Sequence, residues 1–126
     1  MSDPAPIPES LLIGTVAYRV TIDPDDWMRI EHETKTGGYY GHTQHRTAMI
    51  YLNPGATPDV TRLTLWHEVL HALAEAAMGS PEWRKLGGTK DEREERVIRT
   101  IEAPTLAVLR ANPQLVAYLM EGTAVS

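Results

Sequence analysis

The stretch Trp66-His67-Glu68-Val69-Leu70-His71 constrains this chain more than any other, because only a helix makes chemical sense of it. Side chains four apart on an α-helix stand one turn above each other, so the imidazoles of His67 and His71 reach a single cation. Glu68 lies about a hundred degrees round the helix from His67, outside a metal's ligand set but close to a water held there. The flanks supply the helix. Thr57-Pro58-Asp59 offers an N-cap hydroxyl, a proline at the first position and an acid at the positive end, and Gly79 follows Met78 as a C-terminal stop. Val60, Leu63, His67, Leu70, His71, Ala74 and Ala77 read as one face. That face is expected to turn toward the core, where buried imidazoles need a partner.

A catalytic zinc of the H-E-x-x-H kind takes two histidines, a third protein ligand and an open position for water. The chain has no cysteine, so the third ligand is a His, Asp or Glu. A metzincin-type histidine six residues beyond His71 is excluded, since position 77 is alanine. The acidic cluster Asp91, Glu92, Glu94 and Glu95 is the dense supply downstream. Thr89-Lys90-Asp91-Glu92 has capping-box spacing, which gives Glu92 a structural task. Glu94 shares the inward face expected for Val97, Ile98 and Ile101 and is the ligand we expect, with Glu95, at the edge of that face, as its competitor. The bland reading of all four is a solvated acidic first turn that suits the helix dipole. His42 and His45, in a glycine-flanked polar segment, are read as exposed loop histidines or as lining for a substrate groove.

The rest of the chain reads as an α+β domain. Residues 1–10, with three prolines in the first eight positions, are expected to form a flexible arm, and 11–126 a single domain. Val16, Tyr18, Val20 and Ile22 alternate like a strand, with Gly14 marking a bend before it, and Asp23-Pro24-Asp25-Asp26 has turn chemistry. Residues 27–33 fit a short strand or a helical turn. Tyr39-Tyr40 and 48–52 read as two strands joined by a polar loop from Gly41 to Arg46, which gives a small antiparallel sheet of about three strands. Pro104 is expected to kink or break the late helix, after which Leu106 and Leu109 point inward. Asn112-Pro113 opens a final helix with Leu115, Val116, Leu119 and Met120 apolar.

The formal net charge of −5, with arginines interleaved among carboxylates, argues against a nucleic-acid partner. The acidic, proline-rich N-terminus reverses the order of a signal peptide, and no apolar run approaches membrane-spanning length. The expectation is a cytoplasmic protein without a membrane partner.

With these motifs in view, the chain resembles the ImmA/IrrE-type zinc metallopeptidases, zincin-like enzymes of the H-E-x-x-H gluzincin type, and is most similar to the short versions encoded by phages and prophages. The resemblance covers about residues 38–120. It rests on the strand Thr47 to Leu52, on Thr61 to Leu73 around the motif, on Glu94-Glu95-Arg96-Val97-Ile98-Arg99, and on Val108 to Leu119 with its Asn112-Pro113. It implies a small antiparallel sheet packed on a helical half that carries the motif helix and a downstream Glu helix. It also implies zinc held by His67, His71 and a late-helix Glu, Glu68 as catalytic base, and a repressor-like protein as substrate. The chain departs from the family where Val97 and Ile98 follow the acidic pair in place of a small residue and an Asn, and in lacking an attached helix-turn-helix module.

The expected activity is therefore hydrolysis of a peptide bond in a protein or peptide, with Glu68 accepting a proton from the attacking water and passing it to the leaving amine. A further oxyanion donor is needed, for which Tyr39, Tyr40, Tyr118 and His32 are open choices. The strand 47–52 is expected to be the sheet edge that pairs with an extended substrate. The alternative is a metal-binding or protein-interaction module without turnover, which a fourth protein ligand such as His42 or His45 would favour by closing the water position. A His-His-Glu set also accepts manganese or iron.

Overall fold

The computed structural model describes residues 5–34, 39–78 and 88–121, without the side chains of Met78, Lys90, Asp91 and Glu94. The element order is β1 (Ser10–Ile13), β2 (Val16–Thr21), α1 (Pro24–Thr34), β3 (Gly41–Gln44), β4 (Met49–Leu52), α2 (Pro58–Met78), α3 (Lys90–Ala111) and α4 (Pro113–Met120). The fold is α+β, with four helices among the described residues around a four-stranded sheet of order β1-β2-β4-β3.

The sheet is mixed, which corrects the expectation of an antiparallel one. β1 and β2 form a hairpin closed by Gly14-Thr15, where Gly14 takes the left-handed φ of +64° that a tight turn asks of glycine. β3 and β4 are antiparallel, but β2 and β4 run parallel. The connection between these two passes through α1 and β3, the crossover that parallel neighbours require. Asp23-Pro24 is the cap of that crossover helix rather than a free turn. The Asp23 carboxylate accepts from the amides of Asp25 (2.8 Å) and Asp26 (3.2 Å), and Pro24 occupies the first helical position. α1 buries Trp27 and Ile30 against Tyr51, on one face of the sheet.

The opposite face carries the main core. Leu11, Ile13, Tyr18, Ile50 and Leu52 from the sheet meet Leu65, Val69, Ala72 and Leu73 of α2, Val108 of α3, and Leu115 and Tyr118 of α4. Ala5 and Ile7, in the expected arm, pack against this cluster, and the Glu9 carbonyl accepts from the Val20 amide. α3 opens with the expected capping box between Thr89 and Glu92 and continues through Pro104 as one helix, so of the kink or break expected there the break does not occur. Proline removes one backbone bond, but Ile101 and Val108, seven residues apart on one face, pack into the same core and keep both halves in register. Val108 is the inward residue there, while Leu106 and Ile98 are exposed. The stop expected at Gly79 lies outside the described residues. No helix among the described residues is long and apolar enough to cross a membrane.

Asn112 has a task other than the cap expected of it. Its side chain makes no cap hydrogen bond to α4; it is 2% exposed and reaches back to the first strand. Its Oδ1 accepts from the Leu12 amide at 2.9 Å, and its Nδ2 donates to the carbonyls of Leu12 (2.8 Å) and Val108 (2.7 Å). Since β1 is an edge strand, the Leu12 peptide groups point away from β2, and Asn112 satisfies them as a neighbouring strand would. Asn112→Ala leaves the part-buried amide and carbonyl of Leu12 without their partner and is expected to cost about 2 kcal/mol in urea unfolding, whereas Gln114→Ala, which loses one exposed 3.4 Å contact to Ser10, costs under about 1 kcal/mol.

Candidate active site

The core chooses the rotation of α2, and it is not the rotation expected from the sequence. The buried side of the helix is Thr61, Thr64, Leu65, Glu68, Val69, Ala72 and Leu73. His67 and His71 are exposed, and Leu63, one turn before His67, is 70% exposed. Both faces of α2 carry leucines and alanines, so apolar spacing alone does not separate them. The consequence inverts the expected arrangement: the carboxylate of Glu68 is inside, at 6% exposure, and the imidazoles line a cleft.

The two imidazoles meet as the helix spacing requires. Their Nε2 atoms are 3.1 Å apart and the rings stand edge to face at 79°. Two nitrogens bound to one tetrahedral zinc at about 2.0–2.1 Å stand roughly 3.3 Å from each other, so the pair fits a shared cation with little adjustment. Among the described residues no third His, Cys, Asp or Glu completes a metal-binding group with them. Glu94 lies on the α3 backbone, but its side chain is outside the described residues. Glu95 is turned to a different use, holding Arg99 through a 2.9 Å hydrogen bond on an exposed surface.

Glu68 is fixed by β3, a strand where the sequence predicts a polar loop. The hydroxyl of Thr43 donates to Glu68 Oε1 at 2.7 Å and lies 3.3 Å from the Glu68 carbonyl oxygen. Gly41, two residues earlier on the same face, lets the strand approach. A Cβ there would stand 2.6 Å from Thr64 Cγ2 and 3.2 Å from Glu68 Oε2. Neither Gly41 nor Thr43 was visible as a site residue, because Gly-His-Thr-Gln lacks the apolar alternation that marks a strand. The small-x-small spacing opposite a motif carboxylate was the available signal.

β3 is also the true edge of the sheet beside the motif, since β4, expected in that role, sits between β2 and β3. The Asn53 amide donates to the Tyr40 carbonyl at 2.8 Å. In the register of β3 and β4 this makes Tyr40, His42 and Gln44 the residues bonded to β4, and turns the peptide groups of Gly41 and Thr43 outward. They face a cleft of about 630 Å³ lined by both motif histidines, Leu63, Tyr39, Tyr40 and His45.

The remaining candidates separate cleanly. His45, in the turn after β3, has its Nδ1 3.1 Å from the hydroxyl of buried Tyr18 and borders the cleft. Burial, and then the Glu75 carboxylate, raise the Tyr18 phenol above its ordinary pKa, so it stays protonated through neutral pH. His42 belongs to the strand, not a loop, with its ring 6.4 Å from that of Tyr51, and it borders the cleft as well. Of the expected oxyanion donors, Tyr39 and Tyr40 border the cleft. Tyr118 is buried under the Arg62 guanidinium, and His32 lies on α1.

Gly41→Ala is expected to destabilise the fold by about 1–3 kcal/mol in urea unfolding, because the added methyl meets Thr64 and the buried carboxylate. Thr47→Ala, in the exposed turn after β3, should stay within about 0.5 kcal/mol of wild type.

Compared with protein-family models, curated proteins and solved structures, the chain matches none.

Proposed function

We propose that this chain is a zinc-dependent metallopeptidase of zincin-like fold, related to the ImmA/IrrE type, that hydrolyses a peptide bond in a protein substrate such as a repressor-like regulator. The observation that carries the reading is a buried carboxylate, Glu68, set between a paired-imidazole surface and a strand edge that is unpaired among the described residues. A chance H-E-x-x-H on a surface helix gives no reason for the middle acid to be inside and hydrogen-bonded while both histidines face one cleft. A metal site with a purely structural task gives no reason for it either.

In this reading Nε2 of His67 and of His71 hold the ion, with Glu94 of α3 as the proposed third ligand. The zinc, when bound, supplies Lewis-acid activation of water and of the scissile carbonyl. The chain's own groups do the rest. The outward peptide groups of Gly41 and Thr43 pair with an extended substrate and give it a register along β3. The exposed side chains of Leu63, Tyr39 and Tyr40 offer apolar surface to substrate side chains flanking the bond. Glu68 accepts the proton of the attacking water and returns it to the leaving nitrogen, a proton-transfer role worth roughly 100-fold to 10,000-fold in rate.

The test is digestion of a proteome-derived peptide library by the zinc-supplied full chain, read by mass spectrometry. Cleavage at a restricted set of peptide bonds is expected, abolished by a chelator, restored by zinc, and reduced at least about 100-fold in Glu68→Gln. Cleavage that persists in Glu68→Gln, or no cleavage by the zinc-loaded wild type, would sink the proposal.

A further inference from the structure

We infer that Thr43 is a positioning residue for Glu68: its hydroxyl holds Oε1, fixes the plane of the carboxylate, and leaves Oε2 as the oxygen that takes the proton. The catalytic half of this inference rests on the peptidase reading; the geometric half does not.

The contact is built rather than incidental. At 2.7 Å the Thr43–Glu68 hydrogen bond has the usual length of a well-formed O–H···O bond. The donor sits on a strand whose register is pinned, since Thr43 lies opposite Ile50 in the ladder with β4, and Ile50 is wholly buried. Threonine is stiff about its first side-chain torsion, so the hydroxyl position follows from the backbone. The acceptor is equally confined, on a helix whose neighbours Leu65, Val69 and Ala72 are in the core.

The two oxygens of Glu68 therefore have different surroundings. Oε1 is bonded to Thr43, while Oε2 lies toward Gly41, 3.2 Å from where a side chain there would begin. Among the described residues Oε2 has no hydrogen-bond partner of its own. A carboxylate free to rotate offers either oxygen at a range of angles. One tied at Oε1 offers Oε2 in a single direction, and displacing a reacting group by about 1 Å costs on the order of 100-fold in rate. The same strand presents the outward peptide groups of Gly41 and Thr43. A substrate that pairs with β3 is thereby registered against the residue that aims the base.

The experiment uses the full chain labelled with ¹³C at glutamate side-chain carboxyl carbons, as wild type, Thr43→Val and Thr43→Ser. The Glu68 resonance is identified by its loss in Glu68→Gln. In the metal-free protein, Thr43→Val is expected to move that resonance and leave the other carboxyl signals in place, and Thr43→Ser to return it. On the library peptide that the zinc-loaded wild type cleaves fastest, Thr43→Val should lower kcat about 10- to 100-fold with KM within about twofold, and Thr43→Ser should recover to within about threefold of wild type. Should Thr43→Val fail to fold by its amide spectrum, Thr43→Ala carries the same two readings. A Glu68 resonance unmoved by loss of the hydroxyl overturns the inference, and so does an unchanged kcat. A wild type that cleaves nothing overturns the peptidase reading of the site, while the carboxyl spectrum still decides whether Thr43 holds Glu68.

Discussion

A buried carboxylate is the constraint around which this structure is arranged. Taking a polar group out of water is costly unless hydrogen bonds replace the lost hydration. Glu68, at 6% exposure, meets that requirement through Thr43 on β3. The contact agrees with the rotation that the core gives α2 about its axis, and that rotation decides everything functional on the helix. With Glu68, Leu65, Val69 and Leu73 inside, His67 and His71 one and three positions away from the acid have to face outward. β3 lies close against α2, and at Gly41 the gap is too narrow for a side chain.

The two edges of the sheet are treated differently. At β1, Asn112 and Gln114 reach from the start of α4 to bond the outward peptide groups of Leu12 and Ser10. This covering removes the tendency of a bare edge to pair with another chain. At β3, the outward groups of Gly41 and Thr43 face the cleft, with no hydrogen-bond partner among the described residues. An edge covered at β1 and, among the described residues, uncovered beside the histidine pair is what the proposed pairing of β3 with an extended peptide requires.

What the sequence disclosed was local. The cap at Thr57-Pro58, the box between Thr89 and Glu92, and the four-residue spacing of the histidines are signals carried within a few residues, and each has its counterpart in the structure. What it concealed was relational. The inward face of α2 was misread because Leu63, Leu70 and Ala74 make one side as apolar as Leu65, Val69 and Leu73 make the other. β3 reads as a loop because a strand of glycine, histidine, threonine and glutamine owes its existence to its pairing with β4. The parallel pairing of β2 and β4 and the bond from Asn112 to Leu12, a hundred positions away, have no local trace at all. The same division holds at the site: His67, Glu68 and His71 were legible as a motif, but Thr43 becomes a site residue only once the strand is folded against the helix.

The central claim is that His67 and His71 form a metal centre served by Glu68. Bound zinc per chain, measured by mass spectrometry on freshly purified wild type, His67→Ala, His71→Ala, Glu68→Gln, Glu94→Ala and Glu95→Ala after equal exposure to zinc, tests it most directly. One zinc is expected in wild type, Glu68→Gln and Glu95→Ala, and none in either histidine variant or in Glu94→Ala. Loss in Glu95→Ala instead of Glu94→Ala would reassign the third ligand and leave the centre standing. A wild type without zinc, or zinc kept in both histidine variants, would contradict the claim.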